Sequence, residues 1–482
     1  MRCPLSSLFT DLYELTMMQG YWVTGLRTRG AVFDLHMRRI PFGGGYAIAA
    51  GLEDAVRFLT GLRFAEEDLD YLRSLGLFRT EFVDGLRGFR FTGDLDAVPE
   101  GTPVFPFLPL LRVRAPLDQA QLVESGLLNL VNFQTLIATK AARICGEAGQ
   151  DNVVEFGLRR AHGPEGALMA SRASFIGGCV ATSNVEAGRS FGIPVRGTHA
   201  HSWITAFPDE RTAFRKFIEI YPVESILLVD TYDTLRSGVP NAIAVGLEMR
   251  ERGQHLHGIR LDSGDLTYLS IEARKMLDAA GLTDTMIFAS NEIDEWIVHD
   301  LRAQGAAIDA WGIGTGLVTG RGDPALSGVY KMAAVEDETG SWVPKRKVSD
   351  ALEKSTLPGV KQGYRLFGDD GFMMADLIEL EDAPPDTRGG ISGQHPYLEG
   401  VHKHYEGITR AVPLLQPVLR QGRPVATQPS LIEIREHCRR SLERLHITSR
   451  RLLNPHVYKV SLGPALHELA QRLRDEGVPG TM

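Results

Sequence analysis

Gly258-Ile259-Arg260-Leu261-Asp262-Ser263-Gly264-Asp265 decides how the middle of this chain folds. A short apolar run stops at a turn with two carboxylates three residues apart, and a helical stretch over 266–279 follows. The same order, apolar run and then helix, recurs at 153–156, 175–179, 195–197, 226–229, 286–289, 308–313 and 329–333. Continuous apolar strands alternating with helices predict a parallel sheet covered on both faces. Six to eight such units are near the number that closes a barrel.

Polar residues collect where these runs end: Arg159-Arg160, Thr198 to His201, Asp230, Asp262, Ser290-Asn291 and Gly312 to Thr315. Parallel α/β folds build their sites at the carboxyl ends of strands, so six such ends in succession predict one pocket. In Val195-Arg196-Gly197-Thr198-His199-Ala200-His201-Ser202-Trp203 an extended chain pairs Thr198 with Ala200 and His199 with His201. The two histidines are open to three readings: satisfied structural groups, a metal pair, or a nucleophile or base. Asp262 and Asp265 suit Mg²⁺ or ribose hydroxyls, or simply cap the next helix; Asp230 and Asp233 repeat the arrangement one strand earlier. Ala310-Trp311-Gly312-Ile313-Gly314-Thr315-Gly316 has the bare backbone that cradles a phosphate, with Thr315 and Thr319 as hydroxyl donors. It has neither the Walker lysine nor the GxGxxG spacing of a dinucleotide fold. Arg159, Arg160 and Arg260 add forked cations suited to phosphate or carboxylate. Together these groups fit a phosphorylated sugar donor better than hydride transfer.

The chain has 482 residues, too many for one small core, and 23% are charged. Its net charge of -8, from 52 Lys+Arg against 60 Asp+Glu, argues against a nucleic-acid partner. Cys3, Cys145, Cys179 and Cys438 are scattered with no CxxC pair, which predicts a reducing compartment rather than a disulfide framework. The N-terminal segment lacks a signal-peptide core and no long apolar run occurs, so no membrane partner is expected and the location read is cytoplasmic. Three parts are expected: an N-terminal α/β domain over 1–148, a (β/α) barrel over 149–335 and a C-terminal α/β portion over 336–482. In the first, a helix over 7–23 carries Leu12, Leu15, Met18 and Trp22 on one stripe, a strand covers 31–38, and 41–46 is a glycine-rich turn. In the last, Lys345, Arg346, Lys347, Lys354, Lys361 and Arg365 form a basic stretch, read as a solvated face or a mobile flap over substrate.

Segments spread through the chain in order resemble the nicotinate phosphoribosyltransferases. They are Thr10-Asp11-Leu12-Tyr13-Glu14-Leu15-Thr16-Met17-Met18, Pro41-Phe42-Gly43-Gly44-Gly45-Tyr46, Phe156-Gly157-Leu158-Arg159-Arg160 with Gly163-Pro164, and 197–202. Arg260 to Asp265, Gly312-Ile313-Gly314-Thr315, Gly328-Val329-Tyr330-Lys331 and Asn454-Pro455-His456 complete the set. The resemblance implies an irregular (β/α) barrel of type II phosphoribosyltransferase kind, with the N-terminal domain and the C-terminal portion packed together. It implies a homodimer with active sites near the subunit boundary. The implied reaction joins nicotinate to 5-phosphoribosyl-1-pyrophosphate, coupled to ATP hydrolysis, with Mg²⁺ and no tightly bound organic cofactor, as the entry to NAD salvage. On that resemblance His201 is the histidine phosphorylated by ATP, and Asp230 and Asp262 join it in catalysis. Tyr13, Thr198, Arg260 and Arg160 line the nicotinate site, while Gly314, Thr315, Thr319 and Arg159 hold the phosphoribosyl group. His199 stands where an apolar residue is expected, which leaves it a second place to react.

Three rival readings remain. The same scaffold could take nicotinamide or quinolinate; the protein could bind pathway metabolites without catalysis; or His199 and His201 could hold zinc in a barrel lyase.

Overall fold

Strands rich in Val, Ile and Leu that are buried on both faces pair in parallel only when helices cover them, and the middle of the chain meets that condition. In this computed structural model, which describes residues 5–149, 152–347, 356–398, 400–425 and 427–476, Lys140–Pro324 form one compact unit. Met1–Thr139 and Ala325–Met482 together form a second.

The middle unit holds a six-stranded sheet in the order Ala181–Thr182, Val153–Glu155, Ala310–Ile313, Met286–Asn291, Gly258–Leu261, Ile226–Leu228. Every pairing in it is parallel. Helices Gly163–Ile176, Val239–Glu251, Leu266–Ala279 and Glu295–Ala303 supply crossovers. The sheet curls round a cavity of about 240 Å³ walled by Val154, Phe156, Ile226 and Phe288. A single parallel bridge from Thr182 to Val195 carries the ring one step further.

Three expected strands differ. Residues 175–179 are not one: helix Gly163–Ile176 runs through Phe175, and the strand comes later, at Ala181–Thr182. Residues 170–176 of that helix are all buried, so it lacks the polar stripe that separates a helix from a buried strand. Residues 195–197 contribute only the Val195 bridge. Residues 329–333 lie in Gly328–Glu336, which belongs to the other unit and runs antiparallel to Gly30–Met37, with Leu35 opposite Tyr330.

That second unit joins both ends of the chain in a seven-stranded sheet, where Gly30–Met37 lies between Gly328–Glu336 and Leu111–Pro116. A six-stranded sheet includes Lys361–Phe367, Met373–Leu380 and Arg410–Pro413. The first helix spans Leu12–Val23 and starts later than expected, because Asp11 caps it and the Glu14 carboxylate accepts the Asp11 amide. Leu15 and Met18 face the core, but Leu12 is 51% exposed and leaves the predicted stripe. Pro41–Gly43 is a 3-10 turn, and a side chain at Gly45 would collide with the Ser449 carbonyl.

The basic stretch is not uniformly solvated. Lys361 is buried with its Nζ 2.7 Å from Asp34, and Arg365 is buried 2.8 Å from Asp376. Both cations are spent inside the fold. Lys354, with the rest of 348–355, lies outside the described residues.

Candidate active site

The carboxyl ends of the parallel strands bring His201, Asp230, Asp262 and Arg260 together. Gly258–Leu261 pairs with Ile226–Leu228, so the acidic turns that follow the two strands are neighbours. Asp230 is 1% exposed at its side chain. Its Oδ2 accepts the Asp262 amide at 2.8 Å and the Ser263 hydroxyl at 2.6 Å. Its Oδ1 is buried and, among the described residues, has no hydrogen-bond partner. Such an oxygen is costly unless something polar arrives to meet it.

Asp262 accepts Arg260 at 2.7 Å and the Ser290 hydroxyl on the same Oδ1. Burial works against its charge, but Arg260, Ser290 and His201 outweigh that and hold the carboxyl below its ordinary value. Arg260 reaches inward from its strand, where its guanidinium lies 5.6 Å from the Phe156 ring centre. It also donates to Ser290 at 2.7 Å and to Thr198 at 2.8 Å. Among the described residues three of its five N–H donors are committed, one on each nitrogen, which leaves one further N–H on each terminal nitrogen.

His201 opens the short helix His201–Thr205 and is 45% exposed at its side chain. Its Nδ1 lies 3.1 Å from the Thr231 hydroxyl. Its Nε2 stands 4.0 Å from Asp230 Oδ1 and 3.8 Å from Asp262 Oδ2. The structure therefore orients the imidazole from one nitrogen and leaves the other facing two carboxylates.

His199 does something else. The chain turns into the helix at His201, so the two histidines do not share an extended face. His199 is buried against Phe214 and Phe217, and its Nε2 accepts the Leu228 amide at 3.2 Å. Burial pushes its pKa down to about 4, with Arg260 and His201 adding to the effect. It is a neutral structural ring whose outward nitrogen is occupied. Leu228 sits on the last strand of the sheet, so the imidazole links that strand to the segment bridged at Val195, where a backbone ladder would otherwise close the ring. Among the described residues no cluster of three or more His, Cys, Asp or Glu is placed to hold a metal.

The remaining predicted residues fall in several places. Asp265 caps Leu266–Ala279 through the Tyr268 amide at 3.0 Å, and Asp233 caps its own turn at the Arg236 amide, 2.9 Å away. Gly314 precedes the short helix Thr315–Val318, where Thr315 donates to Glu292 at 3.1 Å. The Thr319 hydroxyl donates at 2.6 Å to the Thr315 carbonyl, so its proton is used within the turn. Arg159 and Arg160 sit exposed on the 3-10 turn Leu158–Arg160. Tyr13 lies in the other unit, 43% exposed on Leu12–Val23. Burial, Glu124 and Glu14 push its hydroxyl pKa upward.

Thr231, which orients His201, was not singled out from the sequence, nor was Ser290 as the partner that binds Arg260 to Asp262. Glu155 was also missed: buried at its strand end, it accepts Ser171 at 2.8 Å, Thr182 at 2.5 Å and the Gly157 amide. An acid ending an apolar strand was the available signal. Its partners, scattered from Gly157 to Thr182, gave none.

Comparison with known proteins bears on this geometry. Residues 8–132 match the nicotinate phosphoribosyltransferase (NAPRTase) N-terminal domain, and residues 360–470 match the nicotinate phosphoribosyltransferase C-terminal domain. The chain is 43% identical to a nicotinate phosphoribosyltransferase of Bacillus subtilis, over 98% of this chain and 97% of that one. The human nicotinic acid phosphoribosyltransferase structure superimposes with a TM-score of 0.84 at 36% identity, covering 96% of this chain and 99% of that one. A nicotinate-nucleotide pyrophosphorylase from Pyrococcus furiosus shares the fold, with a TM-score of 0.70 at 23% identity over 91% of this chain and 95% of that one. The parallel sheet is accordingly the irregular (β/α) barrel of the type II phosphoribosyltransferase fold. With relatives matched from end to end, the chain belongs to the nicotinate phosphoribosyltransferase family.

Proposed function

We propose that this protein joins nicotinate to 5-phosphoribosyl-1-pyrophosphate, giving nicotinate mononucleotide and pyrophosphate, and that ATP phosphorylates His201 during the cycle. The observation that carries the proposal is the His201 imidazole, held at Nδ1 by Thr231 while Nε2 faces Asp230 and Asp262.

With the proton on Nδ1 and donated to Thr231, Nε2 keeps its lone pair. It attacks the γ-phosphorus of ATP, the bond to the bridging oxygen breaks, and ADP leaves. Water later cleaves the phosphohistidine, returning the imidazole and releasing phosphate. In the transfer itself, the ribose C1–O bond to pyrophosphate lengthens and positive charge builds on C1, as in glycoside cleavage. Asp230 and Asp262 supply negative charge near that carbon, and the pyridine nitrogen attacks from a fixed position. The two N–H groups left on Arg260 match a carboxylate fork, which favours nicotinate over nicotinamide. Thr198 and Arg160 complete the proposed pyridine site; Gly314, Thr315, Thr319 and Arg159 complete the phosphoribosyl site. Asp230 Oδ1, without a hydrogen-bond partner among the described residues, and Asp262 Oδ2, 3.8 Å from His201, would hold a Mg²⁺ ion, which when bound would neutralise phosphate charge. A cytoplasmic homodimer with its active site near the subunit boundary belongs to the same proposal, checked by sedimentation of the purified protein.

Turnover of nicotinate, nicotinamide and quinolinate at equal concentration tests the substrate. Nicotinate is expected to win; preference for either rival overturns the choice, and no turnover of any favours a binding protein. Labelling with γ-³²P-ATP and mapping the acid-labile phosphate tests the histidine. His201→Ala is expected to abolish both the label and ATP stimulation, and full stimulation in that variant would remove His201 from the mechanism.

A further inference from the structure

Within the unit built from both ends of the chain lies a second cavity, of about 290 Å³. Its apolar walls include Phe367, Met373 and Leu414, all buried. Arg365, Arg410 and Arg444 line it too, and among the described residues no carboxylate does. On a chain of net charge -8 that is an unusual place to gather three guanidinium groups.

The three are not equivalent. Arg365 is already neutralised by Asp376, which takes two of its nitrogens at 2.8 Å. Arg410 and Arg444 have no ion-pair partner among the described residues; the guanidinium of Arg410 and the backbone of Arg444 are each fixed by a neighbour. Arg410 lies opposite Phe367 in the sheet, with its guanidinium 4.4 Å from that ring's centre. Arg444 ends helix Leu431–Glu443, and its carbonyl accepts the Met373 amide at 2.9 Å. One further wall is His437, whose Nε2 lies 3.0 Å from the Thr102 hydroxyl. Burial and the arginines Arg440, Arg365 and Arg444 keep that ring's pKa below its ordinary value. It therefore adds hydrogen-bonding capacity near neutral pH without adding charge.

We propose that this cavity is an anion site separate from the barrel, taking a small flat ring that bears a carboxylate or phosphate. The ring rests on Met373 and Leu414, and the anion is gripped by Arg410, which lies over Phe367, and by Arg444. Cations without counter-ions among the described residues, beside an apolar floor, are what such a ligand requires. The volume suits one ring and not a dinucleotide.

Crystals of the full chain soaked separately with 4-bromobenzoate and 4-bromophenyl phosphate test this, because the bromine marks the ring by anomalous scattering. A bromine peak in the cavity is expected with at least one probe, and which probe succeeds tells carboxylate from phosphate. In solution, titration calorimetry with the successful probe is expected to show an affinity that falls about tenfold or more in Arg410→Gln/Arg444→Gln. Both side chains are exposed, so the variant is expected to melt near the unaltered protein. The absence of a peak in this cavity with both probes overturns the proposal. So does unchanged affinity in the double variant.

Discussion

The Asp262 amide donates to Asp230 Oδ2 at 2.8 Å, so one site carboxylate anchors the turn that carries the other. The bond spends Oδ2 on architecture and leaves Oδ1 toward His201. Asp230→Asn keeps an acceptor for the amide and removes only the charge. We expect kcat to fall about 10²–10³-fold, the loss typical of one preorganised charge-stabilising group, with little change in the KM for nicotinate. Steady-state kinetics check this, and a fall of less than about tenfold would remove Asp230 from that role.

His199→Phe fills the space between Phe214 and Phe217 but leaves the buried Leu228 amide without an acceptor. The expected cost is about 1–3 kcal/mol of stability, the usual penalty for a stranded buried donor. His199→Gln, which can still accept that bond, should recover part of it. Urea unfolding, together with hydrogen exchange at Leu228, separates the two variants.

The depressed pKa of His199, about 4 in the folded protein, also sets a pH dependence. Above about pH 6.5, the ordinary histidine value, folded and unfolded rings are both neutral and contribute nothing. Below it the unfolded chain takes a proton that the folded ring refuses until about pH 4. Stability therefore falls with pH through that window, by at most about 1.4 kcal/mol per pH unit from this group. His36 acts in the same direction, lowered to about 3 by burial and by Lys361, Arg38 and Lys331. Denaturation at pH 7 and pH 5 should show a smaller loss in His199→Gln than in the unaltered protein.

Lys361→Met strands the Asp34 carboxylate in the core. Breaking a buried pair in this way costs about 3–5 kcal/mol, to be read as a fall in Tm. The double variant Lys361→Met/Asp34→Leu should recover most of it, since two apolar groups need no partner. Equal Tm values in the single and double variants would count against the pair.

Much of the barrel was legible because its strands are short apolar runs between helices, and because polar residues close each run. His201, Asp230 and Asp262 could be marked on that ground, and Arg260 as a forked cation inside its strand. Partners were harder to see. Thr231 and Ser290 are ordinary hydroxyls in sequence, and only the register of neighbouring strands brings them to His201 and Arg260. Helix Gly163–Ile176 was misread over 175–179 because its C-terminal half is wholly buried and periodicity has nothing to report. Lys361 and Arg365 looked solvated because a charge carries no mark of the distant carboxylate that balances it. His199 is the same lesson inverted: it was marked as a possible reactive group, and its partner is a backbone amide.

The pairing of Ala31 with Val335 has a consequence for how the protein is made. At about 5–20 residues per second, synthesis leaves Gly30–Met37 without that neighbour for on the order of tens of seconds. The contiguous stretch Lys140–Pro324 emerges whole in the interval. The nascent chain thus exposes unmatched β edges on the ribosome until the late strands arrive.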